Sequence, residues 1–224
     1  GLDVAKISAS DIERALMIWS NSPNNPTGDL DDLKSVAEWG RKNNVPVFSD
    51  ECYVEFSWSR QPESILQHGI DGVIALHSLS KRSNLAGVRV GFYAGDKEIV
   101  NYLKEVRKHV GMLVPGPTQA AAVVALNDDA HVAVQRDVYL RRLERLATVL
   151  SKWSGFNIDL PKGGFYLWFD AKDGWEFAEK LATEGGALVS PGDFYGAGGA
   201  NNVRVAVVAP DAKIELVVKR LAKK

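Results

Sequence analysis

Val73-Ile74-Ala75-Leu76-His77-Ser78-Leu79-Ser80-Lys81-Arg82-Ser83-Asn84-Leu85-Ala86-Gly87-Val88-Arg89-Val90-Gly91 joins an apolar run to a serine-rich turn bearing a lysine, then to a second apolar run bearing an arginine. Short apolar runs rich in β-branched residues read as buried strands. Ser78, Lys81 and Arg89 are therefore expected at or near strand ends. The pattern recurs upstream, where Ser49-Asp50-Glu51-Cys52-Tyr53 follows Val45-Pro46-Val47-Phe48, and Asn24-Asn25-Pro26-Thr27-Gly28 follows Leu16-Met17-Ile18-Trp19, read as a short buried strand. Residues 29–43 place Leu30, Leu33, Val36, Ala37 and Gly40 on one helical face behind a capping Asp29. Strand, helix, strand in alternation predicts an α/β chain with a mostly parallel sheet. In such sheets ligands bind at the carboxyl ends of the strands. An amide (Asn25), an acid (Asp50), a phenol (Tyr53), an amine (Lys81) and a guanidinium (Arg89) collected at that edge can hold a charged aromatic cofactor.

Further along, Val88–Ala94 reads as a fourth strand and Asp96–His109 as a helix. Residues 111–117, Gly-Met-Leu-Val-Pro-Gly-Pro, break the pattern, and a domain boundary is expected there: 1–115 and 116–224. Beyond it, Thr118–Leu126 and Ala130–Lys152 read as helices. Strands are expected at Phe156–Asp159, Gly164–Asp170, Ala187–Ser190 and Asn202–Val208, with helices at Trp175–Glu184 and from Asp211. This tail reads as a small α+β unit. The glycine-rich run 192–199 lacks the G-x-G-x-x-G spacing of a dinucleotide site. It reads as a loop at the mouth of a site, with Pro191, Phe194 and Tyr195 near substrate. Trp153, Phe165, Tyr166 and Trp168 read as core, and His77 as a packed strand residue.

The chain has 224 residues, 46% of them hydrophobic and 25% charged, enough for one or two domains with a real core. A net charge of −1 offers no bulk attraction to nucleic acid or to an anionic membrane. The single cysteine, Cys52, allows no internal disulfide and fits a reducing, cytoplasmic setting. No apolar stretch approaches the ~18 residues of a membrane span, and no metal is expected, because the histidines show no ligand spacing. Gly1-Leu2-Asp3-Val4 has neither the form of a signal peptide nor an initiator methionine, so the chain is expected to begin inside a longer protein.

Asn-Pro-Thr-Gly at 25–28, Asp50-x-x-Tyr53, Ser78-x-x-Lys81, the arginine at 89 and Asn202-Val203-Arg204-Val205-Ala206 occur here in one order. In that order they resemble the class I and II aminotransferases, which are fold-type I enzymes dependent on pyridoxal 5′-phosphate (PLP). The resemblance covers essentially the whole chain. It implies the aspartate aminotransferase fold, here as the later part of a large PLP-binding domain followed by a small C-terminal domain. It also implies a role for each residue. Lys81 would hold the cofactor covalently and move the substrate proton, as a partly desolvated amine can. Asp50 would keep the pyridine nitrogen protonated. Tyr53 and Asn25 would donate to the cofactor's 3-oxygen, while Ser78 and Arg89 would bind its phosphate. Arg204, with Asn25, would hold the substrate carboxylate. Each residue also has a plainer reading: a surface lysine, a turn aspartate, a half-buried tyrosine, a turn asparagine, a surface ion pair for Arg89, an edge-strand arginine with its head in water for Arg204.

The resemblance further implies amino transfer between an amino acid and a 2-oxo acid, in a homodimer with its site at the interface. Ser80–Gly87 and Ser190–Gly196 are similar in wording to actinobacterial succinyldiaminopimelate aminotransferases, which implies glutamate as donor and a place in lysine synthesis. Family members carry a large N-terminal portion not present here, with further phosphate donors and the aromatic residue that stacks on the ring. Three alternatives stay open: a PLP-dependent carbon–sulfur lyase, a non-catalytic effector domain of a transcription regulator, and an inactive fragment.

Overall fold

A computed structural model describes residues 1–222. In chain order the elements are α1 (Ala9–Arg14), β1 (Ile18–Asn21), α2 (Leu33–Asn43), β2 (Val47–Asp50), β3 (Val73–Ser78), α3 (Leu79–Arg82), β4 (Gly91–Gly95), α4 (Lys97–His109), α5 (Gly116–Leu126), α6 (Ala130–Ser154), β5 (Tyr166–Asp170), α7 (Gly174–Gly185), β6 (Ser190–Pro191), β7 (Asn202–Ala206) and α8 (Asp211–Leu221). The chain divides into two compact units, Gly1–Asn24 with Asp29–Ala133, and Asn25–Gly28 with Val134–Lys224. The break at residues 111–117 falls inside the first unit, and the division along the chain falls within α6. No helix among the described residues is long and apolar enough to cross a membrane.

The first unit holds a sheet of order β1-β2-β3-β4. The first two pairings are parallel, with Asn21 opposite Asp50 and Asp50 opposite Leu76; β4 runs antiparallel to β3. One face of the sheet is covered by α2, whose Leu33, Val36 and Ala37 pack with Val47, Ile65, Val73 and Ala75. Gly40 completes that face because a Cβ there would meet the Val47 side chain at 2.4 Å and the Val45 carbonyl at 2.8 Å.

Three expectations need correction here. The cap of α2 is Asp32, whose side chain accepts from Ser35 N–H at 3.0 Å, and not Asp29. Asp31 is buried and engaged by Ser20 Oγ and Leu2 N–H, which leaves Asp32 to close the helix. The strand read at 16–19 starts at Ile18, and its Trp19 is exposed because β1 is an edge strand. The strand read at 88–94 starts at Gly91, because Ala86–Val88 form a 3-10 turn and Arg89 adopts the left-handed conformation (φ 57°).

The second unit holds a sheet of order β5-β7-β6, both pairings antiparallel. Its core takes Tyr139, Leu143, Leu146 and Leu150 from α6, Phe177 and Leu181 from α7, and Ile214 and Val218 from α8. Residues 156–159 form no strand, and β6 is confined to Ser190–Pro191. The two ends of the glycine run pack tightly against each other: a Cβ on Gly192 would lie 2.1 Å from the Gly199 carbonyl, and one on Gly199 2.4 Å from the Gly192 carbonyl. Those two glycines therefore serve close backbone approach within the unit.

Candidate active site

In the first unit the parallel pairing of β2 and β3 puts their carboxyl ends side by side, and each end carries a polar residue held by a local turn. Past β2, Asp50 Oδ1 accepts from Cys52 N–H at 3.1 Å, and the Asp50 carbonyl accepts from Asn21 Nδ2 at 3.1 Å. Past β3, Ser78 caps α3 by accepting from Ser80 N–H at 3.2 Å. A cavity of about 510 Å³ opens there, lined among others by Asp50, Cys52, His77, Ser78, Ser80 and Arg89. That volume lies in the range of small-molecule sites, roughly 300–1,000 Å³. Its polar lining joins the Asp50 carboxylate to the hydroxyls of Ser78, Ser80 and Tyr93 and the guanidiniums of Arg89 and Arg107.

Arg89 is exposed, and its Nη1 donates to the Ala86 carbonyl at 2.9 Å. A left-handed backbone is uncommon for a residue with a Cβ; here it turns the chain so that Arg89 reaches the cavity before β4 begins. Lys81 sits in α3, half-buried, with Nζ 6.0 Å from the centroid of the Tyr53 ring. Tyr53 is buried. The Cys52 thiol is pushed up to about 12, first by burial and then by its hydrogen bond with Asp50, so it stays protonated beside that carboxylate. Glu51 is fully buried; its Oε1 accepts from Ile65 N–H at 2.7 Å, and its Oε2 lies 3.3 Å from His77 Nε2, at an angle that makes no hydrogen bond.

The second unit holds the other predicted residues. β7 is the central strand of its sheet, and Arg204 faces Trp168 on β5 and Ser190 on β6. Arg204 Nη1 donates to Asn25 Oδ1 at 2.9 Å. The guanidinium carbon lies 4.3 Å from the Tyr166 ring centroid and 4.9 Å from that of Tyr195. Arg204 Nε is buried and has no hydrogen-bond partner. This corrects the plainer reading of an edge-strand arginine with its head in water. Two rings lie within cation–π reach of the guanidinium, and an amide oxygen holds one corner.

Asp50, Ser78 and Arg89 thus line one cavity, Lys81 stands beside Tyr53, and Arg204 pairs with Asn25. Ser80, Cys52, Tyr93 and Arg107 also line that cavity and are not expected there from the sequence, although Ser80 and Cys52 sit within the motifs of Lys81 and Asp50; His77, expected as a packed strand residue, lines it too. Tyr166 reads as core from its apolar neighbours, yet it also stacks on Arg204.

Comparison with known proteins gives a consistent picture. The family described as aminotransferase class I and II matches residues 2–221. "Probable aminotransferase Rv1178" of Mycobacterium tuberculosis is 46% identical over 213 residues, covering 92% of this chain and 51% of that protein. "4-dedimethylamino-4-oxo-anhydrotetracycline transaminase OxyQ" of Streptomyces rimosus is 43% identical over 218 residues, covering 93% of this chain and 60% of that protein. The solved substrate-bound structure of BacF from Bacillus subtilis superposes with a TM-score of 0.88 at 28% identity, covering 99% of this chain and 59% of that one. The chain therefore spans about half to three-fifths of the length of these relatives. On this evidence the chain belongs to the class I and II aminotransferases, a PLP-dependent family with the aspartate aminotransferase fold.

Proposed function

We propose that this chain carries the lysine-bearing part of an aminotransferase site that moves an amino group between an amino acid and a 2-oxo acid. The observation that carries the reading is the convergence of Asp50, Ser78 and Arg89 on one cavity at the ends of β2 and β3, with Lys81 in the turn that follows. The donor set fits PLP. Within the first unit, Arg89 and the Ser78 hydroxyl suit its phosphate, Asp50 its ring nitrogen, Tyr53 its 3-oxygen, and Lys81 its carbonyl carbon. When bound, the cofactor supplies the electron sink for bonds at the substrate α-carbon.

The protein's own groups do the rest. Lys81 Nζ takes and returns the proton at that carbon. Arg204, with its guanidinium over the Tyr166 and Tyr195 rings and with an unpartnered Nε, suits two parallel hydrogen bonds to a substrate carboxylate. Asn25 holds Arg204 at one corner. The protein works as a homodimer with the site at its interface.

A finer reading is N-succinyl-diaminopimelate as substrate with glutamate as donor, in lysine synthesis. It rests on the wording of Ser80–Gly87 and Ser190–Gly196. The 43% identity to a protein named as a 4-dedimethylamino-4-oxo-anhydrotetracycline transaminase favours a second reading, a polycyclic oxo compound as acceptor. The full-length protein tests both. Borohydride reduction with PLP should fix the cofactor to Lys81, and glutamate should convert the bound cofactor to its amine form. A peptide map with the label on Lys97 or Lys104 would sink the assignment. Turnover with one acceptor and not the other chooses the substrate.

A further inference from the structure

The turn that carries Lys81 is short and is held from several sides. α3 is a single turn of four residues, and isolated helices shorter than about 12 residues are marginal in water. Ser78 caps it and Leu79 anchors it in the core with Val90 and Ala122, and the residue after Lys81 ties its other end. The Arg82 side chain is only 11% exposed and reaches four partners within the first unit. Nε donates to Glu55 Oε1 at 3.3 Å, Nη1 donates to the Ala125 carbonyl at 2.8 Å and to Ser83 Oγ at 3.4 Å, and Nη2 donates to Asp129 Oδ1.

These partners are not scattered. Glu55 lies in the 3-10 turn Val54–Phe56, which starts immediately after Tyr53, the residue whose ring faces the Lys81 amine. Ala125 is in the last turn of α5, and Asp129 precedes α6. Ser83 adds a second tie to the same corner, because its Oγ lies 3.0 Å from His131 Nε2, and His131 Nδ1 lies 3.0 Å from Asp128 Oδ2. Two consecutive residues thus fasten the Lys81 turn to the Tyr53 turn on one side and to the α5–α6 corner on the other.

The ties are unequal. Asp129 is 92% exposed, so solvent screens its pairing with Arg82. Glu55 is 34% exposed, and the carbonyl bond at 2.8 Å is the shorter of the two Nη1 contacts. Without Arg82, the Ala125 carbonyl keeps only local backbone bonds, from Asn127 N–H and from Asp128 N–H at 3.4 Å. Leaving such groups under-paired costs more than a neutral contact contributes.

We propose that Arg82 is the positioning residue of the lysine site: it directs the Lys81 amine toward the Tyr53 side without touching the reacting atoms. The inference rests on Lys81 being the cofactor lysine. It is tested in the full-length holoenzyme with Arg82→Ala, Arg82→Lys and Glu55→Gln. The readouts are the pH midpoint of the bound cofactor's visible absorbance and the separate effects on kcat and KM.

Arg82→Ala should move the midpoint by about half a pH unit or more. It should lower kcat by about tenfold or more with KM within about twofold. Arg82→Lys should recover only part of both, since a point charge does not replace a planar fork. Glu55→Gln keeps the shape of its side chain and should shift the midpoint the same way by a smaller amount, which covers the case in which Arg82→Ala fails to fold. A lower melting temperature with unmoved midpoint and kcat, or full recovery by lysine, would overturn the proposal. Borohydride labelling of a lysine other than Lys81 would instead overturn the cofactor assignment, so the two failures are separable.

Discussion

At the residue scale, the most constrained charge outside the cavity is Arg204. A guanidinium with a buried, unpartnered Nε is costly to keep unless something pairs with it. The Tyr166 and Tyr195 rings lie against it, and Asn25 takes one Nη1 hydrogen. Arg204→Lys retains the charge but loses both the fork and the flat stacking surface. In the full-length enzyme kcat/KM should fall about 100-fold or more, roughly 3 kcal/mol, with the cofactor's absorbance unchanged. Steady-state kinetics with the amino and the oxo acid check this, and an unaltered KM for both would reduce Arg204 to a structural residue.

At the element scale, the strand-to-helix transitions rest on side-chain caps, and the one at α4 is the most heavily bonded. Asp96 accepts from Gly72 N–H at 2.8 Å, Glu98 N–H at 2.9 Å and Ile99 N–H at 3.1 Å. The bond from Gly72 does most to hold its carboxyl below the usual aspartate range. A depressed folded-state pKa means the stabilisation is present above the unfolded value, near 4, and is lost as pH falls below it through the folded value. Asp96→Ala should destabilise the first unit by about 1–2 kcal/mol at pH 7. The gap between wild type and variant should narrow in denaturant titrations as pH is lowered below the unfolded aspartate value. A gap independent of pH would assign the effect to packing and not to the carboxylate.

At the scale of the whole molecule, the first unit presents much apolar surface. Tyr102, Val106, Val110, Met112 and Leu113 are exposed along and after α4, as are Trp19 on β1 and Phe92 on β4, the two edge strands of the sheet. Open edges and contiguous apolar patches favour pairing with another chain. The 224-residue chain on its own should therefore self-associate at micromolar concentration and bind PLP weakly. Light scattering after size-exclusion chromatography and a PLP titration measure both. A monodisperse species of 24.5 kDa with tight PLP binding and full turnover would contradict this.

Much of this protein was settled locally by its sequence. The β-branched runs before Asp50 and Ser78 specify strands, because such side chains fit a pleated, buried surface. The 3.6-residue spacing of Leu33, Val36, Ala37 and Gly40 specifies a helix face. With the short turns that follow the strands, these features put Asp50, Ser78 and Lys81 at the strand ends before any coordinate is known. Other features depended on contacts distant in sequence. Asp32 caps α2 because Asp31 is drawn inward by Ser20 and Leu2. Trp19 is exposed because β1 ends the sheet, a property of strand order and not of the strand. Arg82 reads as an ordinary charge beside a lysine until folding brings Ala125 and Asp129 to it. Arg204 is a central-strand arginine only because β7 lies between β5 and β6. Local spacing encodes which residues form elements and which stand at their ends; pairing between remote segments alone decides which of those ends meet, which charges are buried, and which faces remain open.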